Sequence, residues 1–189
     1  MKSATSKPTH RVSLGARPVD SAAEDGSKGQ RSLNRRQAQA GTLKMNARPE
    51  LTPELLAAYR ATEYRVQGDR PFCIRIGRAS PEADRWLVEK GLETWGFITA
   101  CNPFSRSLSD SENAERQLEL RQELIRRGLP PISALGIDPH GAWPGEPSFW
   151  VMGISRRDLL ELGTSFGQFA VVFGDRDAVA ELLVCPLTP

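Results

Sequence analysis

The sequence is poor in the residues that most often mark a catalytic or metal centre. It holds two histidines in 189 residues, His10 and His140. A multi-histidine zinc site is therefore excluded. Its three cysteines, Cys73, Cys101 and Cys185, are odd in number, far apart and outside any C-x-x-C pair. That excludes a disulfide framework and makes a reducing cytoplasm the expected location. Walker A, G-x-G-x-x-G, H-E-x-x-H and acidic calcium-loop patterns are all missing. No residue pattern specifies a cofactor. No apolar run approaches the ~20 residues of a membrane helix. The N-terminus lacks the apolar core of a secretory signal. A soluble protein without membrane association is expected.

The folded part also lacks a basic surplus. Residues 1–44 hold nine Lys or Arg and three acids, a net of +6, whereas the remainder holds 16 basic and 20 acidic residues, a net of −4. A mildly acidic domain argues against a large nucleic-acid footprint. Residues 1–44 have no aromatic residue and only scattered aliphatic ones. Such a segment buries too little apolar area to offset its ordering entropy, so a disordered basic tail is predicted. It reads either as an upstream extension, with Met45 just before the globular pattern, or as a basic arm for nucleic acid or an acidic partner. Its basic residues are dispersed rather than packed into a 5–8-residue cluster, which favours the first.

From Thr52 onward the pattern is regular, and residues 45–189 are expected to form a single α/β domain. "TPELLAAYR" carries an N-cap Thr52 and Pro53 at the first helical position. "ATEYRV" and "FCIRIG" read as strands. "SPEADRWLVEKG" is a helix from Ser80 to Gly91. "WGFITAC" is a short buried strand. "SDSENAERQLELRQELIRRG" is the longest helix, with Ser109 and Glu112 at capping-box spacing and Gly128 closing it. "PPISALGI" and "SFWVMGI" are strands, "SRRDLLELG" a helix, and "FAVVFG" and "VAELLV" further extended segments. The order α-β-β-α-β-α-β-β-α-β-β predicts a compact domain with a mixed central sheet and about four helices.

Several motifs compete for function. "GTSFG", residues 163–167, matches the G-x-S-x-G nucleophile pattern but closes a helix instead of following a strand, so its glycines read as helix-end and turn residues. Cys101 ends a buried strand, and His140 is its conceivable activator; the alternative is a small buried thiol. The passage "CNPFSRSLSDSEN", residues 101–113, offers more. Asn102, Arg106 and Ser109 stand before the free N–H groups of a helix start, which are the ingredients of an anion site. The competing reading is capping alone. Within the helix, Leu118, Leu120, Leu124, Ile125 and Ala114 form one broad apolar face, and Asn113, Gln117 and Arg121 run through it. Polar residues in a packed stripe need partners or line a cleft. Gln168 is a similar inward polar candidate. In "GIDPHGAWPGEPSFWV", residues 136–151, Pro139, Gly141, Pro144, Gly145 and Pro147 read as turn punctuation between two strands. Trp143 and Glu146 remain as candidates.

The blocks "YRATEYRV", "FITACNPFS", "SENAERQ", "DPHGAWPGEPSFWVMGI" and "LGTSFGQFAVVFGD" resemble the bacterial domain-of-unknown-function family 3293, over about residues 52–183. In that family the residue before the Asn102–Pro103 pair is often tryptophan, so Cys101 departs from it. The resemblance implies a small bacterial protein and no particular activity. It places weight on Asn102, Glu112, Asn113, Gln117, Glu146, Ser148 and Gln168.

Two functions follow as expectations. The first is a small-molecule or nucleotide-binding domain, open to enzymatic chemistry, with a polar cleft between residues 102–113 and 138–148. There Asn102, Arg106 and Ser109 hold an anionic group, Asn113, Gln117 and Gln168 line the cleft, and Trp143 stacks on a ring. Glu146, or alternatively Asp138, serves as general base, and His140 moves protons. The second is a protein-interaction module that uses the Trp/Pro loop 142–147.

Overall fold

The computed structural model describes residues 50–141 and 145–186. The predicted tail, Ala142, Trp143 and Pro144 lie outside the described residues. The element order is α1 (Pro53–Ala61), β1 (Glu63–Val66), β2 (Phe72–Ile74), α2 (Pro81–Lys90) and β3 (Thr94–Ile98). A 3-10 turn follows at Pro103–Ser105, then α3 (Asp110–Arg126), β4 (Ile132–Ile137) and β5 (Glu146–Met152). The last elements are α4 (Arg156–Ser165), β6 (Ala170–Asp175) and β7 (Glu181–Val184). This is the α/β class with four helices that the sequence order predicts.

The helix starts follow local chemistry. Thr52, Ser80, Ser109 and Ser155 each accept a first-turn backbone N–H, and Pro53 and Pro81 supply a pre-set φ at the first helical position. At the other end of α2, Gly91 takes φ 65 and ψ 36, the left-handed stop that glycine adopts without strain.

The seven strands form one sheet in the order β2-β1-β4-β5-β3-β6-β7. Every neighbouring pair is antiparallel. This corrects the mixed sheet expected from helices alternating with strands. The α3 and α4 crossovers do join strands of the same direction, β3 to β4 and β5 to β6. Each crossover skips one place, and a strand of opposite direction fills it. The sheet curls until its edges meet beyond β2 and before β7. There Gly77 N–H donates to the Ala180 carbonyl at 2.8 Å, and Ala180 N–H donates to that of Arg78 at 3.0 Å.

Alternation along the strands divides the apolar residues between two cores. Inside the curl, Tyr64, Phe72, Ile74, Trp95, Phe97, Trp150 and Val172 pack with Ala83 and Leu87 of α2. On the outer face, Ile98, Phe149, Val151, Val171 and Phe173 pack under Leu120 and Leu124 of α3 and Leu159 and Leu162 of α4. The apolar face of α3 is narrower than its sequence suggests. Leu120 and Leu124 are buried, whereas Leu118 and Ile125 are exposed. Gly163 is likewise not a helix-end residue. It lies inside α4, where a Cβ would stand 2.6 Å from Cys185 Sγ and 2.8 Å from Val171 Cγ1. Gly167, at φ 70, is the turn glycine.

Candidate functional site

The chain leaves β3 through an unusual piece of backbone. Asn102, Phe104 and Ser105 all take positive φ, at 47, 53 and 53 degrees. Left-handed conformations in non-glycine residues persist only where the surroundings hold them. Here α3 and the turn between α4 and β6 supply the hold. Gln117 Oε1 accepts from Ala100 N–H at 2.9 Å, and Asn113 Oδ1 accepts from Asn102 N–H at 2.8 Å. Arg116 donates from Nε to the Ala100 carbonyl at 2.7 Å and from a terminal guanidinium nitrogen to the Phe166 carbonyl at 2.6 Å. Gln168 Nε2 donates to the Cys101 carbonyl at 3.0 Å, and Phe104 N–H donates to the Gly167 carbonyl at 2.7 Å.

This scaffold fixes the side chain of Asn102. Its Oδ1 accepts from Leu108 N–H and from Asn113 Nδ2, both at 3.0 Å. Its Nδ2 donates to Glu146 Oε1 at 2.8 Å. Glu146 is the first residue of β5, paired with Gly136 of β4, and it shares its strand face with Ser148 and Trp150. It belongs to a strand and not to the preceding turn. Pro147 is tolerated inside that strand because the β3 ladder ends at the Ile98–Phe149 pair. At Pro147 the missing N–H faces the side that β3 has already left. The Pro147 carbonyl on that side accepts from Thr99 Oγ1 at 2.7 Å.

Glu146 lines a cavity of ≈ 270 Å³ at the open end of the curl. Its walls are residues of six strands and the segment after β3, including Tyr64, Phe97, Gly136, Ser148, Val172 and Leu182. Its cover is α1, through Leu55, Ala58, Tyr59 and Thr62. Tyr59 and Ser105 join cover to wall by a 2.8 Å hydroxyl contact. The volume is at the small end of the range for ligand pockets, and the mouth of a curled sheet is a common place for one. Burial raises the pKa of the Glu146 carboxyl, and the Asn102 amide lowers it to a smaller degree. A carboxyl shifted upward in this way is suited to proton transfer nearer neutral pH.

The sequence-derived candidates fall into separate groups. Asn102, Glu146 and Gln168 meet in the wall of this cavity. Asn113 and Gln117 stand behind it and line a second cavity of ≈ 700 Å³, which shares Asn102, Ser107 and Glu146 with the first. There the Gln117 Nε2 is buried with no partner. Ser109 is occupied as a cap: it accepts from Glu112 N–H at 3.3 Å, and its Oγ donates to Glu112 Oε2 at 2.6 Å. The Glu112 carboxylate thus fills the helix N-terminus where an anion was expected. Arg106 is exposed and lines neither cavity. His140 is exposed in the turn after β4 and lines neither. Asp138 is buried and lines neither. Trp143 lies outside the described residues, and with it the centre of the 142–147 loop. Cys101 is a buried thiol with a raised pKa, set chiefly by desolvation.

Sequence reasoning missed Arg116, Tyr59, Tyr64 and Thr99. The two tyrosines stand in the block "YRATEYRV", which carried a usable signal. Arg116 stands in the block "SENAERQ", yet was passed over because a charged residue in a charged helix looks solvated. Among the described residues no group of three or more His, Cys, Asp or Glu is placed to hold a metal ion, and no helix is long and apolar enough to cross a membrane.

No curated protein and no solved structure matches the chain significantly. A family does, over a segment that builds part of the wall of the cavity, including Asn102, Glu146 and Gln168. Residues 98–171, from the end of β3 into β6, match the family described as "Protein of unknown function (DUF3293)", the same family that the sequence blocks resemble.

Proposed function

We propose that this α/β domain binds a small molecule in the cavity beneath α1, with Glu146 as the recognition group and Asn102 as the residue that positions it. The observation that carries this reading is the Asn102–Glu146 contact at the wall of the cavity. A half-buried carboxyl is costly to desolvate, and nothing in the packing requires one at the first position of β5. A strained backbone segment held by four side chains, at the point where that carboxyl is gripped, supports the same conclusion. Arg106, Ser109 and His140 are left out of the reading, because they stand apart from the cavity wall.

A test is a small-molecule library screened by ligand-observed NMR against wild type and Ala58→Trp. The substitution fills the cavity from its cover. Hits that bind wild type and are lost in the variant are expected. An absence of hits, or hits that bind both proteins equally, would overturn the reading.

A further inference from the structure

The cavity has a one-sided polar chemistry. A hydroxyl offers one proton and two acceptor lone pairs. Four of the hydroxyls in its wall have committed that proton to a backbone carbonyl. Thr62 Oγ1 donates to Ala58 at 2.9 Å, Tyr64 to Tyr59 at 2.7 Å, Thr99 Oγ1 to Pro147 at 2.7 Å and Ser148 Oγ to Glu146 at 3.1 Å. Each therefore keeps only lone pairs, and at Thr99 one of these already accepts from Cys101 N–H at 3.0 Å. Among the hydroxyls, only Ser107 and one member of the Tyr59–Ser105 pair keep a proton to offer. Among the described residues the wall contains no Lys, Arg or His, its one acid is Glu146, and its amide donors are Asn102 and Gln168, each with one N–H already committed, to Glu146 and to the Cys101 carbonyl. The rest is apolar, from Leu55, Phe97, Val172 and Leu182.

We propose, resting on the small-molecule reading above, that the occupant is a small organic amine in its protonated form, its ammonium at Glu146 and its body against the apolar wall. A primary ammonium brings three N–H donors and no acceptor, the complement of a surface rich in acceptors. An anion meets the reverse: a carboxyl, spent hydroxyls and no cation. The anionic ligand expected from residues 102–113 is thereby replaced by a cationic one. The charge also accounts for an acid in this place. Alone, Glu146 bears an unpaired desolvation cost, which a cation at hydrogen-bond distance offsets.

The pH dependence follows from the groups facing Glu146. Tyr59 from α1, Tyr64 from β1 and Cys101 beyond β3 all have pKa values raised chiefly by burial, so they stay neutral below about pH 8. α3 contributes Arg116, whose guanidinium is committed to two carbonyls and lies outside the wall, and Asp110 and Arg121, which line the second cavity together with Glu146. Glu146 is then the group in the wall that loses a proton as pH rises from acid toward neutral, at a point above the ordinary 4.5, and amine binding should tighten as it does.

Three probes of one shape separate the outcomes: 2-phenylethylamine, 2-phenylethanol and 3-phenylpropionate, each titrated by NMR into wild type and Glu146→Gln. The amine should bind wild type at least about tenfold more tightly than the carboxylate, and should lose about that factor in the variant. The alcohol should bind both proteins alike, which also shows that the variant's cavity is intact. If the alcohol or carboxylate binds and the amine is not preferred, the cationic assignment is overturned while the small-molecule reading stands. If none of the three binds and the library also gives no hit, both fall. An amine affinity that does not rise from acid to neutral pH also counts against the assignment.

Discussion

Asn102 and Glu146, 44 positions apart in sequence, meet through a 2.8 Å hydrogen bond from amide to carboxyl. The contact joins the strained exit of β3 to the first residue of β5. Each consequence below can be measured.

The first concerns pH and stability. Burial raises the Glu146 pKa above its ordinary value of 4.5, and the Asn102 bond offsets only part of that. The folded state then holds this proton more tightly than the unfolded chain. Its contribution is complete below the unfolded value and is lost as pH rises through the folded one. Wild type should therefore lose stability relative to Glu146→Gln as pH rises above 4.5 through the folded-state value. Urea melts in acid and at neutral pH give the comparison. A difference that is flat with pH contradicts it.

The second separates the side chain of Asn102 from its backbone. Asn102→Gly removes the acceptor of Leu108 N–H and Asn113 Nδ2 but tolerates φ 47. It should cost about 1–3 kcal/mol. Asn102→Ala removes the same bonds and must also hold a left-handed conformation, at about 1 kcal/mol more. Equal losses in the two variants would show that the backbone conformation carries no strain.

A third tests close packing on the outer face. Gly163→Ala places a methyl group 2.6 Å from Cys185 Sγ and 2.8 Å from Val171 Cγ1. Overpacking of this kind costs about 1–3 kcal/mol. In the Cys185→Ala background the nearest obstruction is gone, so Gly163→Ala should cost less there. A double-mutant cycle reads the coupling. Strict additivity would place the strain elsewhere.

The last concerns α1, the cover of the cavity. It is the one α-helix among the described residues that buries no residue, whereas α2, α3 and α4 bury two or three each. Few buried contacts mean a low free energy of local opening. Its amides should exchange with solvent fastest of the four helices. Tyr59→Phe, which removes the contact to Ser105, should speed them further. Protection of α1 equal to that of α3 would rule out opening at this end as the route into the cavity.

Much of the architecture was legible locally. Thr52, Ser80 and Ser109 announced three helix starts because a cap is a contact between a side chain and a backbone group three residues away. The order of helices and strands followed from periodicity. Pairing did not, because alternating helices and strands fit a parallel sheet as well as one with hairpins inserted between the parallel pairs. The polar stripe Asn113 and Gln117 was visible in α3, yet its partners, the backbone of residues 100–102, were not.

The sequence by itself determined the α/β class, the element order, the capped helix starts and a short set of polar residues that had to find partners. These depend on neighbours within a few positions, so the chain encodes them directly. Only the tertiary structure decided which polar residues share a cavity. It set Glu146 against Asn102, gave Ser109 to its cap and left His140 in solvent. It also spent four hydroxyl protons on carbonyls, leaving those hydroxyls as acceptors. Those outcomes depend on how far the sheet curls and which strand fills each gap, and both are set by packing between distant segments.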